Sequence, residues 1–329
     1  MTRSVIDPIT RIEGHLRVEM EVNNGRVTDA WVSGGCFRGM ELVVQDRTPE
    51  DAAQIVQRIC GVCPVSHAHA SAIAAEKAYG ITIPNNARII RNLIEGAQFL
   101  HSHILWFYNL AALDYVNPLN ALNANAADAI DLAQAAGTSM NSDLVALQKK
   151  LAAFAQNGQL SIFSGNWFDS EGGTGYKLPA ELDLICTAHY LEALKMQARA
   201  SEISALLGGK MPHVMTIIPG GTAFVPTAQK LDDLKTMVDE IYNWVSTTMI
   251  QDTGITNLAG TLKAAIAITQ KKMGINAKSA YIINTSQSQI ESMVTYNPLC
   301  LPEISSIIMA IIWYGGFNYA AASRFDPRR

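Results

Sequence analysis

The sequence has five cysteines in 329 residues, at positions 36, 60, 63, 186 and 300, with a single close pair among them. They are too few and too scattered for a disulfide framework in a chain of this length, so they read as reduced thiols. Packing or chemistry must then explain them. Excess positive charge is also missing. Lys and Arg number 25 against 29 Asp and Glu, a formal net charge of −4 with no basic block. That balance argues against nucleic acid and anionic membrane surfaces as partners. Charged residues are sparse at 16% while hydrophobic residues reach 49%, which excludes disorder and implies a well-buried globular protein. "MTRSVIDPITRIEGH" lacks the apolar core of a secretory signal, and no internal repeat or linker stands out. One long uncharged run, Ile304 to Ser323, includes Gly315, Gly316 and Asn318, and reads as a buried segment rather than a membrane span.

What is there points to helices with one small sheet. "HLRVEMEV" alternates apolar and polar residues, "NNGRV" supplies an Asn24-Gly25 turn suited to positive φ, and "TDAWV" resumes the strand pattern. "TPEDAAQIVQRI" opens a helix, with Thr48 as cap, Pro49 in the first turn, and Glu50 and Asp51 at the positive end of the dipole. A second helix is expected from about Ser66 to Tyr79, stopped by Gly80. A third starts near Asn86 and is apolar nearly all round after Gly96, which suits the middle of a bundle. Residues 120–137 are rich in Ala and Asn with weak periodicity, and "SGNWFDSEGGTGYK" reads as a loop. A further long helix ends at Gly208-Gly209, "KMPHVMTIIPGG" is a structured Pro/Gly loop, and an amphipathic helix follows from Thr227. The expected fold is mainly α, a long-helix bundle core with a small N-terminal antiparallel sheet. Residues 1–249 are expected to form one helical domain, with 250–329 unassigned and packed on the same core.

"RICGVCPVSH" concentrates the chemistry, and the spacing alone leaves three readings of Cys60 and Cys63 open. A thioredoxin-type redox pair needs its first thiol at a helix N-terminus just after a strand, whereas here a helix precedes the pair. A structural zinc site needs four ligands, and His67 offers only a third. Half of a transition-metal site, closed by another segment, is the last reading: soft thiolates suit nickel, iron or copper.

Together "DPITRIEGH", "FRGME" and "RICGVCPVSH" resemble the large, catalytic subunit of nickel–iron hydrogenases, and "HSHILWFYNLAALDYV" and "GGKMPHVMTIIPGG" agree in order, over about Val5 to Met249. The resemblance implies a role for each matching position. Cys60 would be a terminal nickel ligand, and Cys63 would bridge nickel to an iron carrying CO and cyanide. His67 would hydrogen-bond the bridging sulfur, Glu13 would pass protons from a nickel-bound cysteine, and Glu41 would bind magnesium or a similar ion. The implied reaction is reversible heterolytic cleavage of H2. It needs a Lewis acid for hydride and a base for the proton. No cysteine-rich cluster motif is present, so an iron–sulfur small subunit is the implied electron partner.

The sequence departs from that family in its C-terminal part. The family closes its metal site with a second cysteine pair in D-P-C-x-x-C-x-x-H, whereas this sequence reads "SRFDPRR". A second polypeptide would have to supply that pair, or the chain is a truncated or recombined product that is inactive by itself. Trp106 and Asn109 stand where histidines are expected in the central helix. Two rivals remain: an inactive structural relative like the respiratory complex I subunit of shared ancestry, and a zinc-binding assembly module using Cys60, Cys63 and His67. His101 and His103, two apart on a helix, point to nearly opposite sides and make no chelate. Cys36, Cys186 and Cys300 read as small apolar fillers. The compartment stays open between cytoplasm and a periplasmic or membrane association through the small subunit.

Overall fold

The computed structural model describes residues 2–163, 176 and 178–253. Three strands, β1 (Thr2–Ile6), β2 (Leu16–Asn23) and β3 (Arg26–Gly34), form an antiparallel sheet in the order β1-β2-β3. Helices α1 (Met40–Val43), α2 (Pro49–Ile55), α3 (Pro64–Tyr79) and α4 (Asn85–Leu105) follow, then α5 (Ala126–Ala136), α6 (Leu144–Gln156) and α7 (Ala180–Gly208). A two-residue hairpin, β4 (Ile217–Ile218) and β5 (Gly221–Thr222), precedes α8 (Ala228–Trp244) and α9 (Ile250–Thr253). The chain divides into two compact units: Met1–Ala111 with Ser204–Val225, and Ala112–Ile203 with the residues from Pro226 onward.

The mainly helical fold with a small antiparallel sheet is as the sequence implies, and local rules account for its elements. Asn24 and Gly25 both take positive φ (49° and 73°), the tight turn their side chains permit. Strand β1 adds itself to β2 with Arg3 opposite Glu21 and reaching diagonally to Glu19 in an ion pair. The Thr48 hydroxyl accepts from the Asp51 amide to start α2, which tightens into a 3₁₀ turn over Val56–Ile59. Gly80 ends α3 at φ 68°. At Gly208 a Cβ would lie 2.4 Å from Val214 Cγ1, so the chain leaving α7 folds back against bare backbone.

Several expectations need revision. Helix α3 begins at Pro64 rather than Ser66, which makes Cys63 its N-cap. The Ala/Asn-rich stretch read as weakly periodic contains α5, and α6 follows it. The side chains of Asn125 and Asp143 cap these helices, each accepting from two backbone amides. Alanine's low helix cost supplies what periodicity does not. Helix α4 is not enclosed on all sides among the described residues, for Phe99 is 43% exposed. The 164–177 loop except Tyr176, the uncharged run 304–323, Cys300 and the 250–329 segment beyond Thr253 lie outside the described residues. Among the described residues no helix is long and apolar enough to cross a membrane.

The first unit is anchored by a buried ion pair. Arg91, fully buried on α4, donates to Glu76 of α3 at 2.6 and 3.2 Å, and to the carbonyls of Ile218 and Gly221 at 2.6 and 2.9 Å. The Gly220 amide donates to the same Glu76 carboxylate at 2.9 Å. The β4–β5 hairpin is thus fixed to both helices, and every charge finds several partners, the condition under which burying it is tolerable. The second unit has an apolar cluster of small and branched residues, Ala129, Leu132 and Leu144 with Leu184 and Ala188. Beside it, α7 carries buried polar groups: Asp183, which accepts from the Asn117 amide and the Asn120 side chain at 2.8 Å each, and His189, which faces Asp252 at 2.9 Å.

Candidate metal centre

Cys60 and Cys63 sit between the 3₁₀ turn Val56–Ile59 and the first turn of α3. The Cys63 amide donates to Cys60 Sγ at 3.1 Å, which curls the Cys-Gly-Val-Cys loop so that it closes on the first sulfur. Cys60 is 8% exposed and Cys63 is partly buried. As N-cap of α3, Cys63 lies at the end of the dipole that favours a thiolate. Opposing effects win. Burial first, then the Cys60 sulfur and the Glu13 carboxylate, push the Cys63 thiol up to about 12.

The Glu13 carboxylate is the smallest of these contributions. Glu13 is exposed in the loop between β1 and β2. The loop is pinned at its ends, where His15 meets Asp7 at 2.7 Å and the Ile9 amide donates to the Leu16 carbonyl at 2.8 Å. His15 beside it, then Arg17, holds the Asp7 carboxyl below its usual range. Trp106, one of the two departures in the central helix, has a role of its own: its indole N–H donates to the Arg11 carbonyl at 3.0 Å, two residues before Glu13.

The other expected site residues stand less close together. His67 is half-buried one turn along α3 from Cys63, without a hydrogen bond to either thiol. Glu41 is exposed in the first turn of α1. Among the described residues no three His, Cys, Asp or Glu side chains are gathered to hold an ion, so Cys60, Cys63 and His67 do not form a zinc cage by themselves. Cys36, expected as a buried filler, is exposed, because the turn leaving β3 turns its side chain to solvent. Cys186 is part-buried on α7, where burial raises its thiol well above the usual range. His101 is lowered by burial, and His103 instead bonds the Phe99 carbonyl at 2.8 Å, so the two do not act as a pair.

Three residues at the site were not singled out by the sequence. Arg38, inside "FRGME", donates to the carbonyls of Arg58 and Ile59, the latter at 2.7 Å. Gln98 on α4 donates to the Val62 carbonyl at 3.0 Å. His213 takes φ 66°, a position few non-glycine residues hold, and burial followed by Arg58 and Lys210 lowers its pKa. Arg38 had a signal, since it shares a motif with Glu41. Gln98 and His213 had none beyond lying in helix and loop segments that resemble the family.

A cation bound at this pair would favour the Cys63 thiolate that burial disfavours. The family described as nickel-dependent hydrogenase matches residues 38–298, and the HoxL-like family matches residues 3–33. The chain belongs to the nickel-dependent hydrogenase family. Its match runs past Met249, where the motif resemblance stops. The Hydrogenase-2 large chain of Escherichia coli K12 is 42% identical over 264 residues, 77% of this chain and 46% of that one. The periplasmic NiFeSe hydrogenase large subunit of Desulfomicrobium baculatum is 40% identical over 240 residues, covering 73% and 40%. The oxidized NiFeSe hydrogenase of D. vulgaris Hildenborough superposes with a TM-score of 0.55 at 37% identity, covering 76% of this chain and 43% of that chain. The chain thus spans about half the length of the curated relatives it matches.

Proposed function

We propose that the chain is part of the large subunit of a nickel–iron hydrogenase, an oxidoreductase that reversibly splits H2 into protons and electrons. The observation that carries this reading is the paired thiols of "RICGVC": the Cys63 amide closes the loop on Cys60 Sγ, and the Glu13 carboxylate of "RIEGH" is among the groups that raise the Cys63 thiol. Cys60 would hold nickel, Cys63 would bridge it to an iron carrying CO and cyanide, and two further thiolates would come from another segment or a second polypeptide. The metal centre supplies Lewis acidity toward hydrogen. The protein's share is proton handling. A cysteine sulfur is the nearest base, Glu13 stands ready to receive its proton, and the exposed side of Glu13 opens the way to water. His67, one turn from Cys63, would donate to the bridging sulfur and tune it. Glu41 would bind magnesium or a similar ion. Electrons would leave through an iron–sulfur small subunit, which makes the working unit a heterodimer.

Anaerobic metal analysis of the chain purified with its native partners tests this reading. Nickel held by this chain, and lost in Cys60→Ser while the partner keeps its cluster iron, is the expected result. A complex without nickel would overturn it.

A further inference from the structure

The loop that carries the two thiols is weakly held by its own backbone. At its entry the Cys60 amide reaches the Gln57 carbonyl at 3.4 Å, and the Arg58 and Ile59 carbonyls lie at the end of a 3₁₀ turn, where no further helix supplies donors. Arg38 fills that gap from a distant part of the chain. Its guanidinium Nη2 donates to both carbonyls, immediately before Cys60. The next residue, Gly39, adopts φ 64° as the N-cap of α1, and Glu41 follows in that helix's first turn. One short segment therefore grips the thiol loop and presents Glu41. On the other side of the pair, Gln98 grips the Val62 carbonyl from α4.

We propose that Arg38 is a positioning residue for the thiol pair: it locks the backbone entering Cys60 to the segment that carries Glu41, so that both move as one body. Gln98 performs the corresponding task for the Cys63 side. The inference rests on the reading of Cys60 and Cys63 as a pair that shares one metal. Both bonds come from one guanidinium nitrogen, so what the position needs is a charged donor group with two N–H bonds at the end of a long side chain.

The test uses the full chain, reduced and anaerobic, in a Cys36→Ser background. Phenylarsine oxide bridges two thiols only when both sulfurs reach one arsenic atom, and iodoacetamide reports single thiols in parallel. Peptide mass assigns the bridged pair. Arg38→Ala is expected to slow arsenical capture of Cys60 and Cys63 about tenfold, the scale of one lost charge-assisted hydrogen bond, with iodoacetamide labelling unchanged. Arg38→Lys, which keeps a charged donor, should recover part of the rate, and Gln98→Ala should slow capture from the other side. Capture at the parent rate in Arg38→Ala overturns the inference. A parent chain that never bridges overturns both the inference and the paired-thiol reading. A parent chain that bridges, responds to Arg38→Ala and yet holds no nickel overturns the proposed function alone. Arg38 is exposed, and an unchanged unfolding transition confirms that the variant is folded.

Discussion

Both units bury an apolar core, but they differ in where their most exposed apolar side chains lie. In the second, Ala129, Leu184 and Ala188 are completely buried, and the cluster around them closes within the unit. In the first, Val32, Phe37 and Leu42 are 68%, 71% and 68% exposed. These exposed groups follow the chemistry: Ile12 precedes Glu13, Phe37 and Leu42 flank the "FRGME" turn, and Ile59 precedes Cys60. The unit that carries the site residues therefore draws little of its stability from the apolar groups beside them. Its cohesion comes from buried residues farther off, such as Val65, Ala72 and Ile94, tied together by the polar anchor of Arg91, Glu76 and the β4–β5 hairpin. Hydrophobicity near a site is not the same signal as hydrophobicity in a core.

Removing that anchor should have the largest effect. Arg91→Ala leaves Glu76 buried without its cation and is expected to cost about 3–5 kcal/mol in denaturant unfolding. A loss below about 1 kcal/mol would mean that the first unit rests on something other than its polar anchor. A smaller effect, confined to the second unit, concerns pH. Burial raises the Asp183 carboxyl from 3.8 to about 6, outweighing the Asn117 and Asn120 hydrogen bonds. The folded state thus keeps a proton that the unfolded state releases, and stability contributed by that proton falls as pH rises from 3.8 to about 6. Melting curves across that window should show the decline, and Asp183→Asn should flatten it. Least affected should be Phe37→Ser, within about 0.5 kcal/mol of the parent, because the ring is already in solvent. A clear loss there would erase the contrast between the units.

Much of this was legible in the sequence because it depends on local rules. Asn24-Gly25, Thr48-Pro49 and Gly80 each dictate a turn, a start or a stop through their own φ preferences or hydroxyl, whatever surrounds them. The thiol loop was legible for the same reason, since its spacing is short. Helix α5 was missed because alanines at buried positions leave little contrast between faces; α6 buries Leu144, Leu147 and Leu151 at helical spacing and was legible but overlooked, and the caps Asn125 and Asp143 resemble ordinary loop residues. Arg38 and Gln98 were missed for a different reason. Their partners are backbone carbonyls, which carry no residue identity, at separations of 36 residues for Gln98 and 20 and 21 for Arg38. The start of α3 was misplaced because Pro64 reads as a break, although proline suits the first turn of a helix.

The close approach at Gly208 bears on how such a chain can vary. A methyl group there would meet Val214 Cγ1 at 2.4 Å and Val214 Cβ at 2.9 Å, with Val214 itself fully buried. Neither partner has room to yield alone. A side chain becomes admissible at 208 only where 214 has first been cut back, and the two codons are bound to drift as a pair. The order of the changes is fixed as well: the loss at 214 leaves a survivable hole, while the gain at 208 made first meets a wall.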